Sequence, residues 1–329
     1  MALNRRQFLL LERWLNTARG SMAISLTKFI YPYFIVPGKN IKDKINSFPG
    51  FYRFSIDRLI KEIRQINELG LNKVLLFGIP KYKDNSGSSA YGENNIVVSA
   101  LKEIKAEFPD LVVITDVCLC AYTRHGHCGI LQAGKKAIDK KATLEALAKI
   151  ALAHAQAGAD WVAPSAMAEG QVLAIRNVLD KYGYAKTKIL GYSAKFNSNF
   201  YGPFRQAAHS APAFGDRSAY QLDYRDTQNA LKKIEEDIDY GADMVMVKPA
   251  LSYLDIIKQA KQEFKFPLVA YNVSGEYALV KYGVKAKIFD EKKAVNEIVT
   301  AIARAGADYI ITYHAKDIAQ WIKRENYSI

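Results

Sequence analysis

Tyr240-Gly241-Ala242-Asp243-Met244-Val245-Met246-Val247-Lys248-Pro249 holds the turn on which the fold is decided. The residues before it, 227–240, carry apolar side chains at helical spacing. Gly241 then suits the left-handed position that ends a helix, where a side chain would be strained. Met244 to Val247 are apolar without alternation, so a strand there is buried on both faces, as in a parallel sheet covered by helices. The same junction recurs as Ala157-Gly158-Ala159-Asp160 and Ala305-Gly306-Ala307-Asp308. Its irregular spacing marks a repeated helix-to-strand unit and not a short-period solenoid.

Outward from these junctions, apolar and β-rich runs fall at 29–36, 73–79, 111–119, 161–164, 188–194, 244–248, 268–273 and 309–313. Amphipathic stretches lie between them, at 55–69, 144–157 and 294–305 as well as 227–240. Eight such units predict the α/β class and a closed (β/α)8 TIM barrel with an N-terminal arm; a doubly wound open sheet is the alternative. No Gly-x-Gly-x-x-Gly follows the early strands and no Walker sequence occurs, which weakens that alternative. Residues 29–329 are expected to form a single catalytic barrel. Residues 1–28 precede its first strand and hold Phe8, Leu9, Leu11, Trp14 and Leu15, an apolar content expected of an oligomerisation arm packed on a neighbouring subunit.

The 329 residues are half hydrophobic, enough for a large core. Lys and Arg number 46 against 33 Asp and Glu, a net +13 that permits nucleic acid, acidic membranes or anionic metabolites as partners and selects none. No apolar run approaches the ~20 residues that span a bilayer. Arg5-Arg6-Gln7-Phe8-Leu9 superficially resembles a twin-arginine signal, but Glu12, Arg13, Asn16 and Arg19 interrupt the region that would follow, so a cytoplasmic protein is expected. Only three cysteines occur, and their clustering points to metal in a reducing compartment.

The sharpest chemical signal is Asp116-Val-Cys118-Leu-Cys120, followed closely by Cys128. Residues two apart on a strand share a face, so Asp116, Cys118 and Cys120 are expected to point together, with a glycine turn returning Cys128. Three thiolates suit zinc and leave a fourth position open. His125 and His127 are read as polar neighbours of this site or as a fourth ligand. Lys195 and Lys248 end adjacent predicted strands, where a barrel gathers its catalytic groups. Desolvation and mutual repulsion there favour a neutral amine, able to form a Schiff base with a ketone. Two long connections, 80–95 and 196–225, read as a mobile loop and a lid. The lid offers Arg205, Arg217 and Gln221 to an acidic ligand, a set extended by Ser274 and Tyr313.

These residues resemble the porphobilinogen synthase (δ-aminolevulinate dehydratase) family from about Phe29 to Trp321. The resemblance runs through Phe48-Pro-Gly-Phe-Tyr-Arg53, the cysteine segment, Val162-Ala-Pro-Ser165, Tyr192-Ser-Ala-Lys195, Phe200-Tyr-Gly-Pro-Phe-Arg205, Phe214-Gly-Asp-Arg217, Met246-Val-Lys-Pro249 and Tyr271-Asn-Val-Ser-Gly-Glu276. It implies a barrel with an N-terminal arm, usually a homo-octamer, that condenses two molecules of 5-aminolevulinate to porphobilinogen with loss of two waters. It further implies Lys248 as the Schiff-base lysine, Lys195 as its partner, and zinc on Cys118, Cys120 and Cys128. One substrate carboxylate would meet Arg205 and Arg217, with Gln221 close by; the other would meet Ser274 and Tyr313. Asp116 and Ser165 are expected to be polar supports.

Two departures stand out. Ala166-Met-Ala-Glu169-Gly170 replaces an aspartate-rich run, and Lys233 stands where magnesium-activated members carry glutamate. An ammonium cannot ligate a cation, so no Mg2+ is expected at that position unless Glu235 or Glu236 substitutes. The competing readings are a Schiff-base aldolase on the same barrel and a basic zinc protein that binds nucleic acid. The lysines are spread along exposed helices, so neither a nucleic-acid partner nor a membrane is expected.

Overall fold

The computed structural model describes residues 24–325, apart from 93 and 94. Among them, eight parallel strands close on themselves: β1 (Phe29–Ile35), β2 (Lys73–Gly78), β3 (Val112–Val117), β4 (Trp161–Pro164), β5 (Lys188–Lys195), β6 (Met244–Lys248), β7 (Leu268–Asn272) and β8 (Tyr309–Thr312). Closure is made by β8 against β1, with Phe29 opposite Ile310 and Ile30 opposite Ile311. Each strand leads into a helix on the outside, the (β/α)8 order expected from the alternation. Every residue of β1, β2, β4, β6 and β7 is buried, which is why these strands read as unbroken apolar runs.

The three recurrent junctions do more than end helices. Gly158, Gly241 and Gly306 take φ of +98°, +87° and +124°, values that L side chains rarely adopt. The aspartate after each then stitches its strand to the preceding one. Asp160, Asp243 and Asp308 accept from Val113 N, Ile189 N and Leu268 N at 2.7, 2.8 and 2.8 Å. A cation sits against each: Lys105 at 2.6 Å, Arg176 at 3.7 Å and Lys261 at 2.6 Å. The repeated tetrapeptide therefore closes three strand pairs at the foot of the barrel, leaving the opposite mouth for chemistry.

Two features differ from the expectation. A hairpin of Lys42–Lys44 and Tyr52–Phe54 extends the sheet at the mouth, with Arg53 opposite Phe34 of β1. Three-residue strands reading Lys-Asp-Lys and Tyr-Arg-Phe are too short to carry a periodic signal. Residues 1–23 of the expected arm lie outside the described residues, and residues 24–28 close the barrel foot, where Lys73 Nζ donates to Thr27 O at 2.8 Å. Among the described residues, no helix is long and apolar enough to cross a membrane.

Gly241→Ala should destabilise the fold by about 1–2 kcal/mol, because it forces a side chain into the left-handed region. Its Cβ would also lie 3.1 Å from Arg176 Cγ. Urea unfolding followed by circular dichroism measures the difference.

Candidate active site

Lys195 and Lys248 end β5 and β6 and stand directly opposite each other. That pairing depends on an irregularity. Gly191 pairs with Val245 but Lys195 with Lys248, so β5 carries one residue more than β6 between the two pairs. Without this bulge Ala194 would face Lys248. Both lysines are buried, at 5% and 4% exposure. Lys195 Nζ donates to Ser165 O at 2.5 Å. Lys248 Nζ is enclosed by four rings, with centroids at 4.2 Å (Tyr271), 5.0 Å (Tyr192), 5.1 Å (Phe204) and 5.3 Å (Tyr201). Ring faces favour a cation, but burial and then the charge of Lys195 dominate and hold the Lys248 amine well below the ordinary lysine value. Asp116, on β3, lies within reach of both amines. Burial pushes its carboxyl up to about 6, against the Ser165 hydroxyl and the two lysines, which lower it.

Cys118, Cys120 and Cys128 are all buried, with their sulfurs within 4.8 Å of one another. The geometry that unites them is not the expected one. β3 ends at Val117, so Cys118 and Cys120 lie in the turn beyond it. A turn, and not strand alternation, brings their Sγ atoms to 3.5 Å. Thiols of Cys118 and Cys120 directed at Cys128 hold its thiol well below the usual range, helped by Arg217 and Lys195. His127 uses both ring nitrogens on the lid: Nδ1 meets Tyr220 OH at 3.1 Å and Nε2 meets Phe214 O at 3.0 Å. His125 Nδ1 accepts from His127 N at 3.1 Å.

The lid leaves and returns beside Lys195. Asn197 N donates to Leu222 O at 2.8 Å, and Leu222 N to Lys195 O at 3.1 Å. The lid is also far more ordered than a structureless loop, holding a short helix, Gly202–Ala207. Arg53 from the added hairpin grips that helix, donating to Gln206 O and Ala207 O, both at 2.8 Å. Arg217 is buried and donates to Ser210 O at 2.5 Å and to Gly126 O at 2.9 Å. Within the 80–95 connection, the segment around Asp84 is likewise held: Asp84 accepts from Ser86 N at 2.9 Å and pairs with Thr123.

Polar atoms at this mouth are buried without protein partners: Arg205 Nε, Arg217 Nε and both side-chain polar atoms of Gln221. Buried donors of this kind fit an anionic or carbonyl ligand. Ser274 and Tyr313 lie across the mouth with hydroxyls bonded internally. Ser274 Oγ accepts from Phe204 N at 3.0 Å, and Tyr313 OH meets Tyr271 OH at 2.8 Å. A cavity of about 1030 Å³ lies beside Cys128 and Gln221, and neither Lys195 nor Lys248 is among its lining residues. Lys233 lines the same cavity at a distance from the lysine pair and is ion-paired with Glu236, while Glu169, also on its wall, pairs with Lys140 at 2.7 Å. The ring enclosure, the Arg53 grip and the lid contacts of His127 were not foreseen; the aromatic density of 196–225 was their one sequence trace.

The delta-aminolevulinic acid dehydratase model matches residues 4–321. The chain belongs to the delta-aminolevulinic acid dehydratase family. Relatives of that name include those of Methanothermus sociabilis (52% identical, covering 91% of this chain and 92% of the relative) and Archaeoglobus fulgidus (49%, covering 90% and 91%). The Bacillus subtilis relative is 49% identical over 89% of this chain and 90% of its own. A crystal structure of the Toxoplasma gondii delta-aminolevulinic acid dehydratase, in complex with the reaction product porphobilinogen, superposes with a TM-score of 0.91 at 36% identity. It covers 98% of this chain and 91% of that one. Membership in the delta-aminolevulinic acid dehydratase family makes the protein a hydro-lyase that produces porphobilinogen.

Gly126 has φ +69°, and a Cβ there would lie 2.2 Å from Ala211 O of the lid. Gly126→Ala should therefore lift the lid. Limited proteolysis at residues 208–217 should quicken several-fold while the melting of the barrel changes little.

Proposed function

We propose that the chain condenses two 5-aminolevulinate molecules to porphobilinogen, releasing two waters, through Lys248 and Lys195 beside a zinc ion held by Cys118, Cys120 and Cys128. The observation that carries this reading is the direct opposition of two buried lysines at adjacent strand ends. Neutral Lys248 Nζ attacks the ketone carbon of the first substrate. The carbinolamine then loses water, and an imine joins substrate to enzyme. Lys195 acts on the second ketone, by a second imine or as an ammonium that stabilises charge on the oxygen. Asp116, with an intermediate pKa and both amines near, is placed to pass protons during these dehydrations. Ser165 holds Asp116 and, through its carbonyl, Lys195.

The arginines face one side of the mouth and Ser274 with Tyr313 the other, which suits two substrates with one carboxylate each. Arg205 and Arg217 take one, with Gln221 beside them. Ser274 and Tyr313 take the other once their hydroxyls rotate from Phe200 and Tyr271.

Three buried sulfurs this close fit a tetrahedral zinc ion, whose ligand sulfurs lie about 3.8 Å apart. Zinc held there supplies Lewis-acid polarisation of a carbonyl or an acidified water. Arg217 and Lys195 lower the cost of the thiolate at Cys128. No Mg2+ is proposed at Lys233, whose ammonium already occupies Glu236. The working form is a cytoplasmic homo-octamer joined by the N-terminal arm, with no nucleic acid or membrane as partner.

Borohydride added with 5-aminolevulinate should fix substrate mass on the peptide containing Lys248. Lys248→Ala should fold normally and lose on the order of a thousandfold or more in kcat. Label confined to another residue contradicts the assignment.

Dialysis against a chelator should remove zinc and activity together, and zinc alone should restore both. Cys120→Ala, left with two thiolates, should retain little zinc by elemental analysis. With zinc constant, millimolar magnesium should change neither activity nor sedimentation; a several-fold activation would show that a magnesium site persists despite Lys233.

A further inference from the structure

Glu276 lies outside the groups used above, yet it is 2% exposed and sits where the strands carrying the chemistry end. Its two carboxylate oxygens serve different elements. Oε2 accepts from Val273 N at 2.7 Å and from Asn272 Nδ2 at 3.1 Å, both at the end of β7. Oε1 accepts from Leu251 N at 2.7 Å, in the turn that leaves β6 three residues after Lys248. A helix cap needs only the Val273 bond. The reach to Leu251, across to another βα unit, is additional.

The bonds continue past Glu276. Asn272 Oδ1 accepts from Thr312 Oγ1 at 2.8 Å, and Thr312 Oγ1 accepts from His314 N at 3.2 Å. Asn272, Thr312 and His314 are all buried. The result is one belt of hydrogen bonds, Leu251–Glu276–Asn272–Thr312–His314, across the ends of β6, β7 and β8. Lys248 precedes the belt on β6, Ser274 adjoins it after β7, and Tyr313 lies between its last two members. Burial pushes the Glu276 carboxyl up to about 7, and backbone donors at Val273, Leu251 and Ala250 with the Asn272 amide draw it back toward the charged form.

We infer that Glu276 is a positioning residue: its carboxylate fixes the β6 turn against β7 and so sets Lys248 relative to Ser274 and Tyr313. The inference rests on the proposed role of Lys248 and deepens it. Leu251 N, Val273 N and Asn272 Nδ2 are all donors, so an isosteric amide cannot replace the carboxylate. In Glu276→Gln one oxygen becomes NH2, and whichever it is, either Leu251 N or Val273 N loses its acceptor. Displacement of an attacking amine by an ångström is enough to slow the chemistry by about a hundredfold.

The test is steady-state kinetics with borohydride trapping on the zinc-loaded enzyme. In the wild type, label on Lys248 is the reference. For Glu276→Gln, kcat and the rate of trapping at saturating 5-aminolevulinate should fall together by about ten- to a hundredfold, with KM changed less than about threefold. Thr312→Val, which cuts the belt at its far end, should instead raise KM several-fold and leave kcat within about threefold, because it frees the Tyr313 side. Wild-type label away from Lys248 overturns both the Lys248 reading and this inference. Wild-type label on Lys248 with undiminished trapping and kcat in Glu276→Gln overturns the inference alone, whatever the loss in melting temperature. Should Glu276→Gln fail to fold, an unchanged KM in Thr312→Val overturns it.

Discussion

Two amines are buried side by side where β5 and β6 end, and the low dielectric of that place opposes keeping both charged. Water would solvate either as an ammonium. Here the walls are aromatic rings, and Lys248 holds the more enclosed place. Lys195 has a carbonyl partner at Ser165, which a cation can use, so the strain of the pair falls on Lys248. An amine whose charged form is disfavoured, with a second amine hydrogen-bonded beside it, suits the imine chemistry proposed above. The bulge in β5 is what creates it, since Ala194 would otherwise stand opposite Lys248.

Around that pair the rest of the mouth divides into a sulfur side and a hydroxyl side. Cys128 and the arginines lie with the lid, which is joined to Lys195 through Leu222 and to the barrel through Arg53 and His127. Ser274 and Tyr313 lie with β7 and β8, held by the belt through Glu276 and Asn272. The lid also reaches the hydroxyl side and the Lys248 enclosure, since Phe204 N donates to Ser274 Oγ and the rings of Tyr201 and Phe204 face Lys248.

Much of the barrel was legible because three helix-to-strand junctions announce themselves by a glycine and an apolar run. The reason for its aspartate was not, since the bond from Asp243 goes to Ile189, on a strand far away in sequence. The bulge in β5 was hidden for a similar reason: Tyr192-Ser193-Ala194 reads as ordinary strand, and only the partner strand reveals the extra residue. The cysteines were legible as a cluster by composition and spacing, but the strand placement of Cys118 and Cys120 was wrong because β3 ends at Val117. The lid residues Arg205, Arg217 and Gln221 were placed correctly on a long connection. Its order was not foreseen, since it comes from Arg53 and His127, contacts made over long separations.

Burial and the neighbouring Lys195 hold the Lys248 amine well below the ordinary lysine value. Cyanate reacts with unprotonated amines, and its rate at Lys248 can be followed peptide by peptide by mass spectrometry across pH. Normalised to an unstructured lysine peptide, the profile should place the Lys248 titration well below the ordinary value of about 10.4. A midpoint at or above that value would show that the amine stays charged and that the account of this site is wrong.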